Sequence, residues 1–313
     1  MLSRIKGTQD RLDLRLYNYI TNTIEEHLDT YAFTEISTPI LEPVELFKRS
    51  LGLHTDVVTK EMYVVHTGRN ETDICLRPEA TASTMRAFYN NGVQEQPWKV
   101  FSKGPMFRHE RPQKGRYRQF HQCNLEMINA PSLAYDVQLI TLLDRLFNQT
   151  FRFNSYALLI NFLGEPQERA RYIEALKAFL EKQPHLPKPL QERKDTNILR
   201  TFDLKDEASQ EIMQNAPAIT DHLSPESQAE WQQLQSMLEQ MGVSYTCDPT
   251  LVRGLDYYNK TVFEFVSHEI GSQGTFCGGG RYDYLSQALG EKDAIPALGA
   301  AIGIERLELI LEQ

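Results

Sequence analysis

The sequence predicts an α+β fold: an antiparallel hairpin and glycine-rich strands, flanked by helices and interrupted by a helical insertion. Apolar residues at helical spacing run into a strand near the N-terminus. Two alternating segments bracket a polar loop further on. A Glu- and Gln-rich stretch then separates these from strand-like, glycine-rich sequence at the end.

Leu16, Ile20, Ile24, Leu28 and Tyr31 share one face of a helix over 14–31, and 34–41 reads as a strand stopped by Pro39. Residues 98–107 and 118–128 read as the two strands of a hairpin whose long loop holds Pro112 and Gly115. Period two places Phe120, Gln122, Asn124 and Glu126 on one face of the second strand. Val137, Ile140, Leu143, Leu146 and Phe147 return to helical spacing over 136–147, and 156–162 is a short apolar run of buried-strand type. The polar stretch 165–246 ends in a well-marked helix. Ser224 caps it, Pro225 occupies its first turn, Trp231, Leu234, Leu238 and Met241 form its stripe, and Gly242 follows its end. The expected organisation is a core in two parts, 1–164 and 247–313, split by a helical insertion at 165–246.

At 313 residues and 41% hydrophobic composition the chain can bury a substantial core. A formal net charge of −9 argues against a generic nucleic-acid coat, so any such contact needs a local basic surface. The acidity is concentrated: residues 201–250 carry nine carboxylates and one lysine. Cys75, Cys123, Cys247 and Cys277 stand far apart without a C-x-x-C pair, which indicates neither a zinc site nor a disulfide framework and fits a reducing cytoplasm. No apolar leader and no membrane-length window is present, so a soluble cytoplasmic protein is expected.

Against this acidic background the basic residues crowd between Lys103 and Glu126, with Arg108, Arg111, Lys114, Arg116 and Arg118 a few positions apart. Guanidinium forks donate paired, charge-assisted hydrogen bonds to phosphate oxygens, so the run is a candidate polyphosphate site; a solvated basic loop is the alternative. Arg108, ending the first hairpin strand, can bridge an α-phosphate, and Arg116 in the loop can reach a terminal one. Gln122 and Glu126 point together from the second strand, or else line an exposed sheet face. In Leu76-Arg-Pro-Glu-Ala-Thr-Ala82, Glu79 and Thr81 are acceptors suited to an ammonium group, although Glu79 also reads as a helix-start carboxylate. Leu251-Val-Arg-Gly-Leu-Asp-Tyr-Tyr258 sets Arg253 beside Gly254 and two tyrosines, able to bring positive charge to a reacting centre. Gly278-Gly-Gly-Arg-Tyr-Asp283 permits close backbone approach but has neither Walker nor dinucleotide spacing. In Leu298-Gly-Ala-Ala-Ile-Gly-Ile-Glu-Arg306 a small-residue strand turns into a helix, and Arg306 can pair with a phosphate or cover a purine.

Taken together, these segments resemble the class II aminoacyl-tRNA synthetases and, within them, the histidyl-tRNA synthetase family. Residues 107–122 are similar to the second class motif, 299–307 to the third, and 31–41 with Pro39 to the first, which builds a dimer interface in the family. Residues 251–258 and 278–283 resemble the two histidine-specific signatures, and Lys6-Gly-Thr-Gln-Asp10 the family's opening. The resemblance implies a six-stranded antiparallel sheet flanked by helices, and a two-step reaction: histidine and ATP give histidyl-adenylate, whose histidyl group passes to tRNA(His). It further implies that Glu79 and Thr81 hold the substrate ammonium with Gln122 nearby. Glu126 and Tyr258 would read the imidazole, with Tyr257 and Tyr282 also among the histidine-binding residues. Arg108 would act on the α-phosphate and Arg116 and Arg306 on the outer phosphates or adenine, while Arg253, catalytic with Arg108 and also histidine-binding, would do the work that a metal or lysine does elsewhere. Magnesium would accompany ATP with no protein metal motif, Arg111 and Gln113 would meet the tRNA acceptor end, and the protein would be a cytoplasmic homodimer. The chain stops soon after the third motif, where the full enzyme continues into a C-terminal anticodon-binding domain. The alternative is the synthetase-like, histidine-binding regulatory subunit of ATP phosphoribosyltransferase. Retention of Arg108, Arg116, Arg253 and Arg306 speaks for the enzyme.

Overall fold

The computed structural model describes residues 2–53, 55–66, 68 and 73–312; Met1 and Gln313, the outer ends of the two expected core segments, lie outside them. In chain order the strands are β1 (Thr34–Glu35), β2 (Leu41–Pro43), β3 (Val64–Val65), β4 (Ile74–Leu76), β5 (Trp98–Phe107) and β6 (Gln119–Ile128). They continue with β7 (Ala157–Phe162), β8 (Thr246–Cys247), β9 (Asn259–Val266), β10 (Thr275–Arg281) and β11 (Ala297–Gly303). The main sheet has the order β1-β5-β6-β11-β10-β9-β7-β8, and a small sheet the order β2-β4-β3. The six strands from β5 to β7 are antiparallel throughout, as expected. Two-residue strands, β1 and β8, add a parallel edge on either side and bring the count to eight.

The expected strand over 34–41 forms only at its start. Beyond Ile36 the chain leaves the ladder, and the Arg77 guanidinium donates to the Thr38 carbonyl at 2.9 Å and hydroxyl at 3.1 Å in place of a strand partner. The hairpin agrees closely with its prediction: β5 and β6 run ten residues each, pairing Ser102 with Asn124 and Gly104 with Gln122.

The sheet divides two apolar clusters. On one side the helix Arg15–Asp29 lays down Ile20, Ile24 and Leu28, and the helix Ala134–Arg145 adds Leu139, Ile140 and Leu143. Each such buried side chain contributes roughly 1.5–3 kcal/mol of transfer free energy. The second cluster gathers Phe47, Met85 of the helix Thr81–Asn90, and Tyr172, Leu176 and Leu180 of the helix Pro166–Glu181. The polar stretch after Gly164 therefore packs in two places. Its earlier helices join the second cluster, whereas Trp231, Leu234 and Leu238 of the helix Pro225–Gln240 join the first, beside the helix Ala134–Arg145. Ser224 caps this helix as expected, its hydroxyl accepting from the Ser227 N–H at 3.2 Å.

One buried ion pair ties sheet to helix. Arg281, ending β10, meets Asp136 with both side chains almost fully enclosed, and also donates to the Ala130 carbonyl at 3.0 Å.

Candidate active site

The second face of the central strands opens into a cavity of about 590 Å³, within the range of small-molecule sites. Its floor is made of small residues, Gly278 on β10 with Ala301 and Gly303 on β11. The missing side chains clear space for neighbours as well as for a ligand. A Cβ on Gly278 would lie 2.7 Å from Arg253 Nη1, one on Gly280 would press on the Tyr258 ring at 3.0 Å, and one on Gly299 would collide with the Glu126 carboxyl.

At the inner end, Glu126 is 2% exposed. Thr81 Oγ1 donates to it at 2.6 Å, and the Tyr282 hydroxyl donates to its other oxygen. Burial raises its pKa to about 8, against the lowering effect of both hydrogen bonds. Glu126 and Tyr282 do not themselves line the cavity, whereas Thr81, bonded to Glu126, does. An exposed sheet face is excluded here. Glu79 accepts from the Thr81 and Ala82 backbone N–H groups at 2.7 and 3.0 Å, completing the first turn of the helix Thr81–Asn90 while bordering the cavity. Burial raises its pKa too, in spite of those bonds and the nearby Arg108. Tyr257 and Tyr258 pack with ring centroids 4.5 Å apart, and Tyr282 meets Tyr257 edge-on at 5.6 Å.

Six guanidinium groups border the same space, four of them those expected from the sequence. Arg108 donates to the Pro78 carbonyl at 2.9 Å and lies 5.4 Å from the Phe120 ring centroid. Arg116 pairs with Glu110, while Arg306 Nε donates to the Gly115 carbonyl at 3.0 Å and anchors the hairpin loop to the last helix. Arg253 pairs with Glu264 and lies 5.5 Å from the Tyr258 centroid. Burial works against the charge on Arg253, yet Glu264 and the two tyrosines keep its pKa above the ordinary value. Arg306 is pushed down to about 10, by burial first and then by repulsion from Arg116 and Arg108. A site that crowds cations this closely is suited to a ligand carrying several negative charges.

The basic run does not act as one unit. Arg108 and Arg116 face the cavity, whereas Lys103 pairs with Glu25 at 2.6 Å and Glu35 at 3.4 Å on the other side of the sheet. Arg118 donates to the Glu110 carbonyl at 3.1 Å, and Arg111, Gln113 and Lys114 form the exposed hairpin tip outside the cavity. Strand alternation and loop geometry separate residues that are neighbours in sequence.

The polar stretch after Gly164 also reaches the site, which its sequence does not signal. Arg193, Arg200, Asp203 and Lys205 border the cavity. Arg193 is paired with Asp56 at 2.7 Å, and Arg200 with Asp203 at 2.6 Å. Among so many Glu, Gln and Lys residues these look like ordinary solvated positions, and only the docking of the helix Lys188–Thr196 and of the following 3-10 turn Ile198–Asp203 distinguishes them.

Glu126 gives this site a pH signature. A carboxyl raised from 4.5 to about 8 in the folded protein contributes stability that is fully present below 4.5 and is lost as pH rises through 8. Glu126→Gln, which cannot ionise, is expected to unfold with a shallower loss of stability between about pH 5 and 8 than the parent protein. Urea melts across that range measure the slopes, and equal slopes would show that Glu126 is not the titrating group.

The solved structures most informative about this geometry share its whole length. An apo histidyl-tRNA synthetase from S. aureus is 34% identical, with a TM-score of 0.77, over 100% of this chain and 74% of that one. A Bacillus halodurans protein described as an ATP phosphoribosyltransferase regulatory subunit/histidyl-tRNA synthetase has a TM-score of 0.72 at 20% identity, over 100% of this chain and 84% of that one. A histidine–tRNA ligase subunit from Alicyclobacillus acidocaldarius shares the fold at a TM-score of 0.68 and 20% identity, over 100% of this chain and 98% of that one. The sequence model of the histidyl-tRNA synthetase family matches residues 10–307, and with the S. aureus likeness this establishes that the chain belongs to the histidyl-tRNA synthetase family.

Proposed function

We propose that this chain activates histidine with ATP and transfers the histidyl group to tRNA(His). The observation that carries the reading is the convergence of Arg108, Arg116, Arg253 and Arg306 on one cavity lined also by Thr81, Tyr257 and Tyr258, with Thr81 bonded to the buried Glu126 carboxyl and Tyr282 behind them. In the first step a carboxylate oxygen of histidine attacks the α-phosphorus of ATP, the bond to the bridging oxygen breaks, and pyrophosphate leaves. Such in-line displacement depends on positioning and charge stabilisation more than on a strong base. Glu79 and Thr81 hold the substrate ammonium with Gln122 beside them, and Glu126, Tyr257, Tyr258 and Tyr282 enclose the imidazole. Arg108 stabilises charge on the α-phosphate, Arg116 and Arg306 hold the outer phosphates, and Arg253 neutralises the reacting carboxylate region. Arg111 and Gln113, on the exposed hairpin tip, meet the acceptor end of the tRNA.

Glu110, Glu264 and Glu305 face Arg116, Arg253 and Arg11 respectively, and no cluster of three metal-binding side chains occurs among the described residues. Magnesium fits this reading as a companion of the nucleotide's phosphates. The residues at 165–246 act as an insertion whose Arg193 and Arg200 close one side of the site. A homodimer is supported by exposed apolar residues beside Pro39 and on the small sheet, namely Ile40, Leu41, Val64 and Val65. No described helix is long and apolar enough to cross a membrane.

ATP–pyrophosphate exchange with and without histidine, followed by charging of tRNA(His), tests the proposal. Histidine-dependent exchange is the expected result. Histidine binding with no exchange would select instead the regulatory-subunit role.

A further inference from the structure

We infer that Asn124 is a substrate-contacting residue that positions the carboxylate of the bound amino acid, an assignment that rests on the histidine-activating reading above. Asn124 lies on β6 between Gln122 and Glu126, is 2% exposed, and borders the cavity. Its Nδ2 has no hydrogen-bond partner among the described residues, and the same holds for Gln122 Oε1. Burying a donor without a partner is unfavourable, so a donor kept in this state beside an open cavity is expected to meet its partner on the ligand.

The strand register says which part of the ligand that is. Directly across the ladders, Asn124 faces Ser102 on β5 and Ala301 on β11, and Ala301 in turn faces Gly278 on β10. Ser102 does not take up the amide, since its own hydroxyl also lacks a partner. Ala301 and Gly278 offer no polar side chain, and beyond them stands Arg253, whose guanidinium occupies the space over Gly278. Asn124 and Arg253 therefore flank one strip of small-residue floor from opposite sides. The next row inward carries Glu126, Gly299 and Gly280 with the Tyr258 ring, the imidazole end; the next row outward carries Gln122 and Gly303, the side toward the phosphates. An amino acid lying between those rows places its carboxylate over the middle strip. There the Asn124 amide donates to one carboxylate oxygen, and Arg253 neutralises the group from the far side. The amide fixes which oxygen remains free to attack phosphorus.

The test compares histidine with histidinol, which keeps the imidazole and ammonium but lacks the carboxylate. Calorimetry on the parent protein, Asn124→Ala and Asn124→Asp reads the affinities. Losing a hydrogen bond to a charged group should weaken histidine binding by about tenfold or more in Asn124→Ala and leave histidinol binding unchanged. Asn124→Asp, nearly isosteric but negative, should weaken histidine further still, again sparing histidinol, whose retained binding also shows that the variants are folded. Equal loss of both ligands, or unchanged histidine affinity in both variants, overturns the assignment while leaving histidine activation standing. A parent protein that takes up no histidine overturns it together with the reading beneath it.

Discussion

Arg253→Ala is expected to lower histidine-dependent ATP–pyrophosphate exchange by roughly 10²–10³-fold, about 2.7–4 kcal/mol in the chemical step. The size follows from where the group sits. Its guanidinium is held over Gly278 by Glu264 and the Tyr258 ring, so its charge is in place before the substrate arrives and needs no reorganisation during the reaction. The substitution also strands Glu264, whose remaining partner is the Thr275 hydroxyl at 2.6 Å. Glu264→Gln in the same background removes that stranded charge and separates the two effects. The double variant should recover thermal stability while exchange stays low. If the loss appears only as a raised KM for histidine with kcat unchanged, Arg253 binds substrate and transition state alike, and the catalytic part of the proposal fails.

Asp136→Ala is expected to cost about 3–5 kcal/mol of stability, read from urea denaturation at neutral pH. Asp136 and Arg281 are 1% and 2% exposed, so removing the carboxylate leaves a guanidinium in the interior with only the Asp283 carboxylate, at 3.2 Å, to balance it. The Ala130 carbonyl offers dipole but no charge. Removing both members, as in Asp136→Ala with Arg281→Met, should restore much of the loss, because desolvation of the pair offsets much of its attraction. The pair also bears on the site. Arg281 immediately precedes Tyr282, whose hydroxyl donates to Glu126, so the single variant should weaken histidine binding as well. A stability change below about 1 kcal/mol would show that the pair is not what fastens the end of β10 to the helix Ala134–Arg145.

Local patterns carried much of the architecture. The hairpin strands, the helix Arg15–Asp29 and the Ser224-capped helix follow from alternation, helical spacing and a cap, features that need only a few adjacent residues. The strand expected at 34–41 failed because its continuation depends on Arg77, whose guanidinium takes the Thr38 carbonyl. Nothing within 34–41 announces a side chain arriving from just beyond β4. The same distinction runs through the site. Arg108, Arg116, Arg253 and Arg306 are visible as residues that suit phosphates, but that they border one cavity is a property of the folded sheet.

By itself the sequence determined the residue types available for phosphate and imidazole chemistry and the elements that carry them, since both follow from side-chain identity and short-range periodicity. Only the tertiary structure decided that Lys103 turns to the opposite side while Arg108 faces inward, that Arg193 and Arg200 of the polar stretch reach the cavity, and that the Asn124 amide nitrogen is enclosed without a partner among the described residues. It also decided that Glu126 is desolvated enough to hold its proton to about pH 8. Desolvation and ion pairing are set by whichever distant segments close around a group, and Thr81, Glu126 and Tyr282 become neighbours only when the sheet assembles.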